Sequence, residues 1–566
     1  MKLLVTAPHF AYFRNFESVL VELAAQGHAI HLAADEAETF GGHALVERLA
    51  ALYPRVTYGN VPSSANEPWM PFAQKVRYAI DYARFRGSRY ADVPKLRLRS
   101  ADRAPRIVRW VTGAGGSIGA AAVGRGLRWL ERSMPRSAAM RAWLEELAPD
   151  AVILTSLTFS RSSAVEQLKA ARGLGIPVAA AIMSWDHLSS KAPLHIAPDM
   201  TIVWNEVQKR EAVEMHRLPP DNIVVTGAQC YDQWFERQPS RTREVFCRDM
   251  RLDPARPFIL YVCSAMSPVP TPLEPHFVRE WVAALRASGD PRVRGVGVLI
   301  RPHPERIKEW ANASVDGFEN VVVRGGTPID RESKADYFDA LAHSGAVVGL
   351  CTSAFIEAAI VGRPVLTMLL PEYRMHQDGM AHFRYLLTVE GGLLHAAPDM
   401  PAHLRDLSDV LAHAREREAR NRRFLTTFVR PQGLGVAATP AFIAAVDRLV
   451  RMPRRVDPRF ADATAAQSFV GWIAERTRSG VGRWLMMDAI DIGRARSEEQ
   501  NEELKRSIVG TRARYYDGKA RAKEMQARAK EQEHRTKEWS KWRRGLSARK
   551  QIARLKGELK ELVGFK

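Results

Sequence analysis

The sequence predicts an α/β protein built as two facing, doubly wound domains, each a parallel sheet with helices on both faces. Three observations carry this reading. Short apolar, β-branched runs alternate with amphipathic stretches in two separate series, and regular alternation of that kind implies parallel sheets covered on both sides. The series meet near residues 228–256. The excess positive charge is confined to two segments where the alternation is lost, which marks those segments as additions to the sheets.

The first series opens with a strand at Lys2–Thr6, a helix from about Phe16 to Gln26 closed by Gly27, and a strand HAIHLAAD (28–35). Residues 60–145 then become Arg-rich and helical in pattern. The rhythm returns with DAVILTS (150–156), a helix from about Ser163, GIPVAAAIM (175–183), MTIVWN (200–205), a helix over 206–216 and NIVVTGAQ (222–229). The second series runs PFILYVCSA (257–265), a helix over 276–288, VGVLIRPHP (296–304) and NVVVRGG (320–326). It closes with a helix over 334–343, AVVGLCTS (346–353), a helix over 354–361 and RPVLTML (363–369). After about Pro453 the strands stop, and a chain rich in Ala, Glu, Lys and Arg follows.

The chain has 566 residues, 46% of them apolar, enough for about three domains of ordinary size. Its four cysteines form no CxxC pair, which argues against zinc and a disulfide framework and fits a reducing cytoplasm. No run approaches ~18 uninterrupted apolar residues, so no membrane-spanning helix is expected. The net charge of +20 is local: residues 75–136 hold fifteen Lys/Arg against four Asp/Glu, and residues 491–566 hold twenty-two against twelve.

Residues 111–119, VTGAGGSIG, are spaced like a dinucleotide-binding loop and resemble the fingerprint of short-chain dehydrogenases. Such a loop needs a buried strand before it and an acidic residue at a strand end about 20 positions later. Here RAPRIVRW precedes it and Glu131 follows in a helical stretch, while the one Tyr-xxx-Lys match, Tyr515 with Lys519, lies in the charged tail. The segment is expected to be a glycine-rich hinge between basic helices.

Chemistry points to the second series. In Arg301-Pro302-His303-Pro304-Glu305 two prolines end a strand and display Arg301 and His303 at its carboxyl end, where open α/β sheets place ligands. A guanidinium beside an imidazole suits a diphosphate. Thr352 and Ser353 stand where the next strand gives way to a helix, and Glu357, four residues on, faces the same way and can accept from ribose hydroxyls. In the first series His9 follows the opening strand, and SWDHLSSK (184–191) puts Asp186 and His187 after another. A His there can take a proton from a hydroxyl.

RPHP together with DRESKADYFDALAHSGAVVGLCTSAFIEAAIVGRPVL resembles the nucleotide-binding half of GT-B fold glycosyltransferases, on the branch near CDP-glycerol glycerophosphotransferases and bacterial surface-polysaccharide transferases. VVTGAQCYDQW (224–234) is similar to the segment closing the first domain in that superfamily, which includes the non-hydrolysing UDP-GlcNAc 2-epimerases. The opening MKLLVTAPHFAYFRNFESVLVELAAQGHAIHLAAD looks like a GT-B acceptor-domain start. Two features depart from the glycerophosphotransferase pattern: Thr352-Ser353 replaces paired serines, and the insertion at 60–145 has no counterpart.

The resemblance implies two Rossmann-like domains: an acceptor-side domain at 1–227 carrying a basic helical insertion at about 60–145, and a donor-binding domain at 228–452. A linker at 453–490 and a basic helical C-terminal tail at 491–566 would follow. It implies that Arg301, His303, Thr352, Ser353 and Glu357 bind the nucleotide donor, with His9, Asp186 and His187 as the catalytic candidates. The donor, a nucleotide-sugar or CDP-glycerol-like compound, is a substrate; no cofactor and no metal are expected. The acceptor would be a polysaccharide or a lipid-linked molecule. A same-fold nucleotide-sugar 2-epimerase and a non-catalytic scaffold are the alternatives. The basic segments fit an anionic membrane surface better than nucleic acid: WSKWRR (539–544) is followed by Ile552, Leu555, Leu559 and Leu562 in one stripe. The expected location is therefore cytoplasmic, peripheral on the inner face of the plasma membrane.

Overall fold

The computed structural model describes residues 1–35, 41–266, 273–310, 313, 315–326, 328, 331–413, 418–494 and 531–535. The chain falls into two compact units, one of residues 1–266 with 273–490 and one of 267–272 with 491–566. Both sheets lie in the first unit. The expected basic tail, including WSKWRR, lies outside the described residues except for 491–494 and 531–535, which are helical.

The first sheet has seven strands, β1 (Lys2–Ala7), β2 (Ala29–Ala34), β3 (Val56–Asn60), β4 (Ala151–Leu154), β5 (Val178–Ala181), β6 (Met200–Val203) and β7 (Ile223–Val225). The second has six, β8 (Phe258–Val262), β9 (Gly297–Arg301), β10 (Val321–Val323), β11 (Ala346–Val348), β12 (Val365–Met368) and β13 (His395–Ala397). Their orders are β3-β2-β1-β4-β5-β6-β7 and β10-β9-β8-β11-β12-β13, and every pairing is parallel. Alternate residues of one strand feed different cores: Leu3 and Val5 one, Leu4 another; Leu260 one, Ile259 and Tyr261 another. Both faces of each sheet are therefore covered, which is why the strands read as continuous apolar runs. The predicted pair of doubly wound α/β domains is present.

Each order reverses once, at β1/β4 and at β8/β11. A crevice opens there because neighbouring connections leave on opposite faces, and open α/β sheets bind ligands at that point.

The insertion is helical, with helices Met70–Phe85, Pro94–Arg103 and Arg106–Arg132. VTGAGGSIG lies inside the third of these, a single 27-residue helix, so the expected hinge is absent. Glycine disfavours a helix interior by only about 1 kcal/mol. Packing of Val108, Val123, Leu127 and Leu130 against Met70–Phe85 residues such as Ala73 and Val76 holds it helical. No helix among the described residues is long and apolar enough to cross a membrane.

Two boundaries differ from expectation. The helix Ala438–Val450 buries Phe442, Ile443, Val446 and Leu449 against Phe16 and Leu20 of the first half, so the chain returns there before residue 452. Its apolar stripe is legible in the sequence; which sheet receives it is not. Residues 453–490, expected as a linker, form three helices, Pro458–Ala461, Ala465–Arg476 and Gly480–Met486. Thr464 and Gln467 make a capping box on the second, whose Val470 and Ala474 bury beside the insertion.

Where the chain first crosses, Ala228 N donates to Val429 O at 2.9 Å. Asp232 gathers both crossings: it accepts from Arg430 Nη2 at 2.9 Å, Ala438 N at 3.0 Å, Thr439 N at 2.8 Å and Thr439 Oγ1 at 2.7 Å.

Candidate functional site

The first wall of the site is built on the loops after β1, β4 and β5. Past β1, His9 has extended backbone (φ −145°) and leads into a short helix, Phe10–Phe16, anchored by buried Phe10, Phe13 and Phe16. The His9 ring stacks on Tyr12 at 5.9 Å, Tyr12 meets the edge of Phe159 at 5.9 Å, and Phe159 meets His187 at 5.2 Å. One aromatic row thus joins two of the predicted catalytic residues. Between them, Asp186 accepts from Ser184 Oγ at 2.6 Å and Ser190 Oγ at 2.9 Å. Burial alone would raise its carboxyl; His187 and His382, which become charged in acid, with Lys191 and the Ser184 hydrogen bond outweigh that and hold it far below the usual carboxylate range. His187 is pushed down to about 4 by burial, against the pull of Asp186, so its ring is neutral at physiological pH.

The second wall rises from β9 and β11. Arg301 is only 6% exposed. Its Nη1 donates to Asp336 at 2.7 Å, and its guanidinium lies 5.4 Å from the Tyr337 ring centre. A Cβ on Gly325, whose φ is +134°, would come within 2.8 Å of that guanidinium, so glycine is required for this close approach. Tyr337 Oη donates to Glu357. Arg301 and Glu357 are therefore joined through Tyr337, with Arg301 behind the surface and not displayed on it as the sequence suggests. Burial raises the Glu357 carboxyl, while the Tyr337 hydrogen bond and the charge of Arg14 oppose the rise.

His303 accepts from Glu305 N at Nδ1 (3.2 Å), which leaves the hydrogen of the neutral ring on Nε2. Burial lowers this imidazole, Glu305 raises it and Arg306 lowers it. Thr352 Oγ1 accepts from Ala354 N at 3.3 Å. Ser353 is exposed at the start of the seven-residue helix Ala354–Ile360 and makes no side-chain cap.

The two walls are close enough to act on each other. Arg14, from the first half, opposes the rise of Glu357 in the second. Burial raises the Tyr12 phenol, Arg14 opposes, and Glu305 and Asp186 add to the rise. Trp185 meets the edge of His382 at 4.9 Å, and Tyr385 Oη donates to Glu211 at 2.7 Å. Asp186 of one half and Glu305 of the other both raise Tyr12, and Asp186 and Glu357 both raise Tyr231, so these acids of the two halves lie near one another. Lys95, Arg99, His376 and His382 also lie in this region and carry no recognisable sequence signal, while Lys191 and Tyr337 fall inside segments singled out above without being picked from them. Among the described residues, no three His, Cys, Asp or Glu side chains are grouped as a metal site.

No family model matches the sequence, and no curated protein does. Among solved structures, the chain is similar to a glycosyltransferase from Rickettsia africae ESF-5, with 11% identity over 80% of this chain and 98% of that one, TM-score 0.46. It is similar to the UDP-GlcNAc 2-epimerase from Neisseria meningitidis bound to UDP-GlcNAc, with 11% identity over 79% and 100%, TM-score 0.47. MurG from Acinetobacter baumannii shares 12% identity over 80% and 99%, TM-score 0.41.

Proposed function

We propose that the protein is a GT-B type glycosyltransferase that moves a sugar, or glycerol phosphate, from a nucleotide-activated donor to a surface-polysaccharide or lipid-linked acceptor. The observation that carries this reading is the coupling between the halves: Arg14 of the first acts on Glu357 of the second, and Glu305 of the second acts, with Asp186, on Tyr12 of the first. Carboxylates on one side, with an imidazole and a carboxylate on the other, suit transfer of a group between two bound molecules.

In this reading Glu357, held by Tyr337, accepts from the donor's ribose hydroxyls. Thr352, Ser353 and the Nε2–H of His303 meet its phosphates, and Arg301 acts by positioning Tyr337. For a sugar the acceptor hydroxyl attacks the donor carbon and the nucleoside diphosphate leaves; for glycerol phosphate it attacks the outer phosphorus and the nucleoside monophosphate leaves. In either case the hydroxyl proton passes to His9. Ionised Asp186 and neutral His187 stabilise the charge that develops on that wall.

Calorimetric titration with UDP-, GDP-, CDP- and CMP-linked donors tests this, followed by turnover with the best binder. His9→Ala is expected to lower kcat by ~10²-fold while donor affinity survives. If the intact protein binds none of these donors, the reading fails and a scaffold remains.

We further propose that the protein works at the inner face of an anionic membrane. The helix Arg106–Arg132 supports this: Ile107, Trp110, Val111 and Trp129 are exposed on it beside Arg125 and Arg132, and its one acid, Glu131, is buried. Aromatic and basic side chains together suit a headgroup interface. Co-sedimentation with anionic and neutral vesicles decides: equal binding to both, or no loss in a Trp110→Ser/Trp129→Ser variant, would sink it.

A further inference from the structure

The inserted helix Pro94–Arg103 does more than lie on the first half. Near its start, Lys95 extends to the second half, where its Nζ donates to His376 Nδ1 at 2.7 Å. His376 belongs to the loop after β12 and is 4% exposed. Burial, with Lys95 adding to the effect, pushes it down to about 4, so the ring is neutral and Nδ1 is free to accept. The same loop is tied to the turn after β11, because Cys351 Sγ donates to His376 O at 2.9 Å. Cys351 is the residue before Thr352-Ser353, and its N donates to Ser264 Oγ at the end of β8 (3.0 Å). Lys95 is thus delivered by the first half onto the β8/β11 switch point of the second.

Charge accounting singles this lysine out. Other lysines out of full contact with solvent are closed by carboxylates: half-buried Lys75 by Asp488 at 2.6 Å and buried Lys169 by Glu131 at 3.2 Å. Lys95 is half-buried, and among the described residues no carboxylate lies within ion-pair distance of it. Its one hydrogen bond goes to an uncharged ring, which leaves two ammonium hydrogens for something else. One helical turn on, Arg99 donates to Ser190 O and, among the described residues, has no carboxylate within ion-pair distance, though Asp81 and Asp186 act on it from farther off. Burial lowers the Lys95 amine, and Arg99 and Lys191 lower it further, with only Cys351 opposing. Lys95, Arg99 and Lys191 therefore crowd together, and of the carboxylates nearby Asp81 and Asp186 act on Arg99 while none acts on Lys95. Crowding of like charge in a half-buried place is unfavourable unless an anion joins it.

We infer that Lys95, with Arg99 of the same helix and Lys191 of the segment after β5 behind it, is the binding site for the donor's diphosphate, its foremost cation supplied by the insertion. The inference rests on the donor-transferase reading above and specifies which cation meets the leaving group. A Lys at that point would favour the negative charge that grows as the diphosphate departs.

The test is calorimetric, on the full chain. The probes are inorganic pyrophosphate, the nucleoside diphosphate that binds best among UDP, GDP, CDP and ADP, and the matching nucleoside. Lys95→Gln is expected to weaken pyrophosphate and nucleoside diphosphate by about 10-fold or more, since hydrogen bonds to charged groups have that order of strength. The nucleoside should be unaffected, and Lys95→Arg should restore most of the loss. Unchanged diphosphate binding in Lys95→Gln overturns the inference, and so does a loss shared equally by the nucleoside. Intact protein that binds pyrophosphate through Lys95 but no nucleoside diphosphate would overturn the donor reading and with it the assignment of the site to a donor. Intact protein that binds nucleotides while Lys95→Gln does so equally well would overturn only the role of Lys95.

Discussion

Two charged regions of the insertion face opposite fates. Under the helix Met70–Phe85, Arg77 is sealed between two acids: it reaches Glu131 at 3.0 and 3.1 Å and Glu166 at 3.3 Å, and Lys169 adds a contact to Glu131 at 3.2 Å. All four are almost fully buried. One helix further on, Lys95 and Arg99 are placed at the cleft with no such closure. Both helices carry a net positive charge, so its sign does not separate them. A closed network serves the fold, since each charge has its partner and nothing remains for a ligand. An open one marks a place where a partner is still to arrive.

The largest expected effect lies in the closed network. Arg77→Met would strand Glu131 and Glu166 and should cost about 3–5 kcal/mol in denaturant unfolding. Affinity for nucleoside diphosphates should stay unchanged while the protein is folded. A loss of nucleotide affinity as large as that of Lys95→Gln would erase the distinction between the regions.

Next comes a case of a buried acid with hydroxyl partners in place of a salt bridge. Burial pushes Glu211 up to about 7, against hydrogen bonds from Tyr385 and Ser189. Its folded value exceeds its unfolded one, so its contribution to stability is complete below about pH 4.5 and is lost as pH rises through about 7. The melting temperature should fall over that window, and Glu211→Gln should flatten the fall. The opposite sign holds for Glu131: burial would raise it, but Arg77, Lys169 and His195 hold it down at about 2, so its contribution fades only as pH drops below about 4.5.

The smallest effect is expected from Lys95→Gln read as stability: under about 1 kcal/mol in the unliganded protein, because removing an uncompensated charge offsets the lost contact to His376. A large drop would make Lys95 a structural residue.

Much of the sheet architecture could be read in advance, and the reasons are particular. Runs such as FILYV and GVLIR are apolar because both sheet faces are covered, and the 206–216 helix is the one expected. β3 and β13 escaped because they are short edge strands; VTYGN is largely exposed, and HAA has three residues with little apolar content. At the site, His9, Asp186 and His187 could be proposed because they follow strands. The inward turn of Arg301 could not, since it depends on Asp336, 35 residues later, and on the absence of a side chain at Gly325. Lys95 was hidden by the strength of its surroundings: among fifteen basic residues, net charge says nothing of which one crosses to the other half.

One carboxylate has a mechanical meaning. Asp232 holds Arg430, Ala438 and Thr439 at the place where the polypeptide passes from half to half and back. Two passages pinned at one carboxylate share one anchor, so a change at Asp232 would loosen the outward and the returning strand of the chain together.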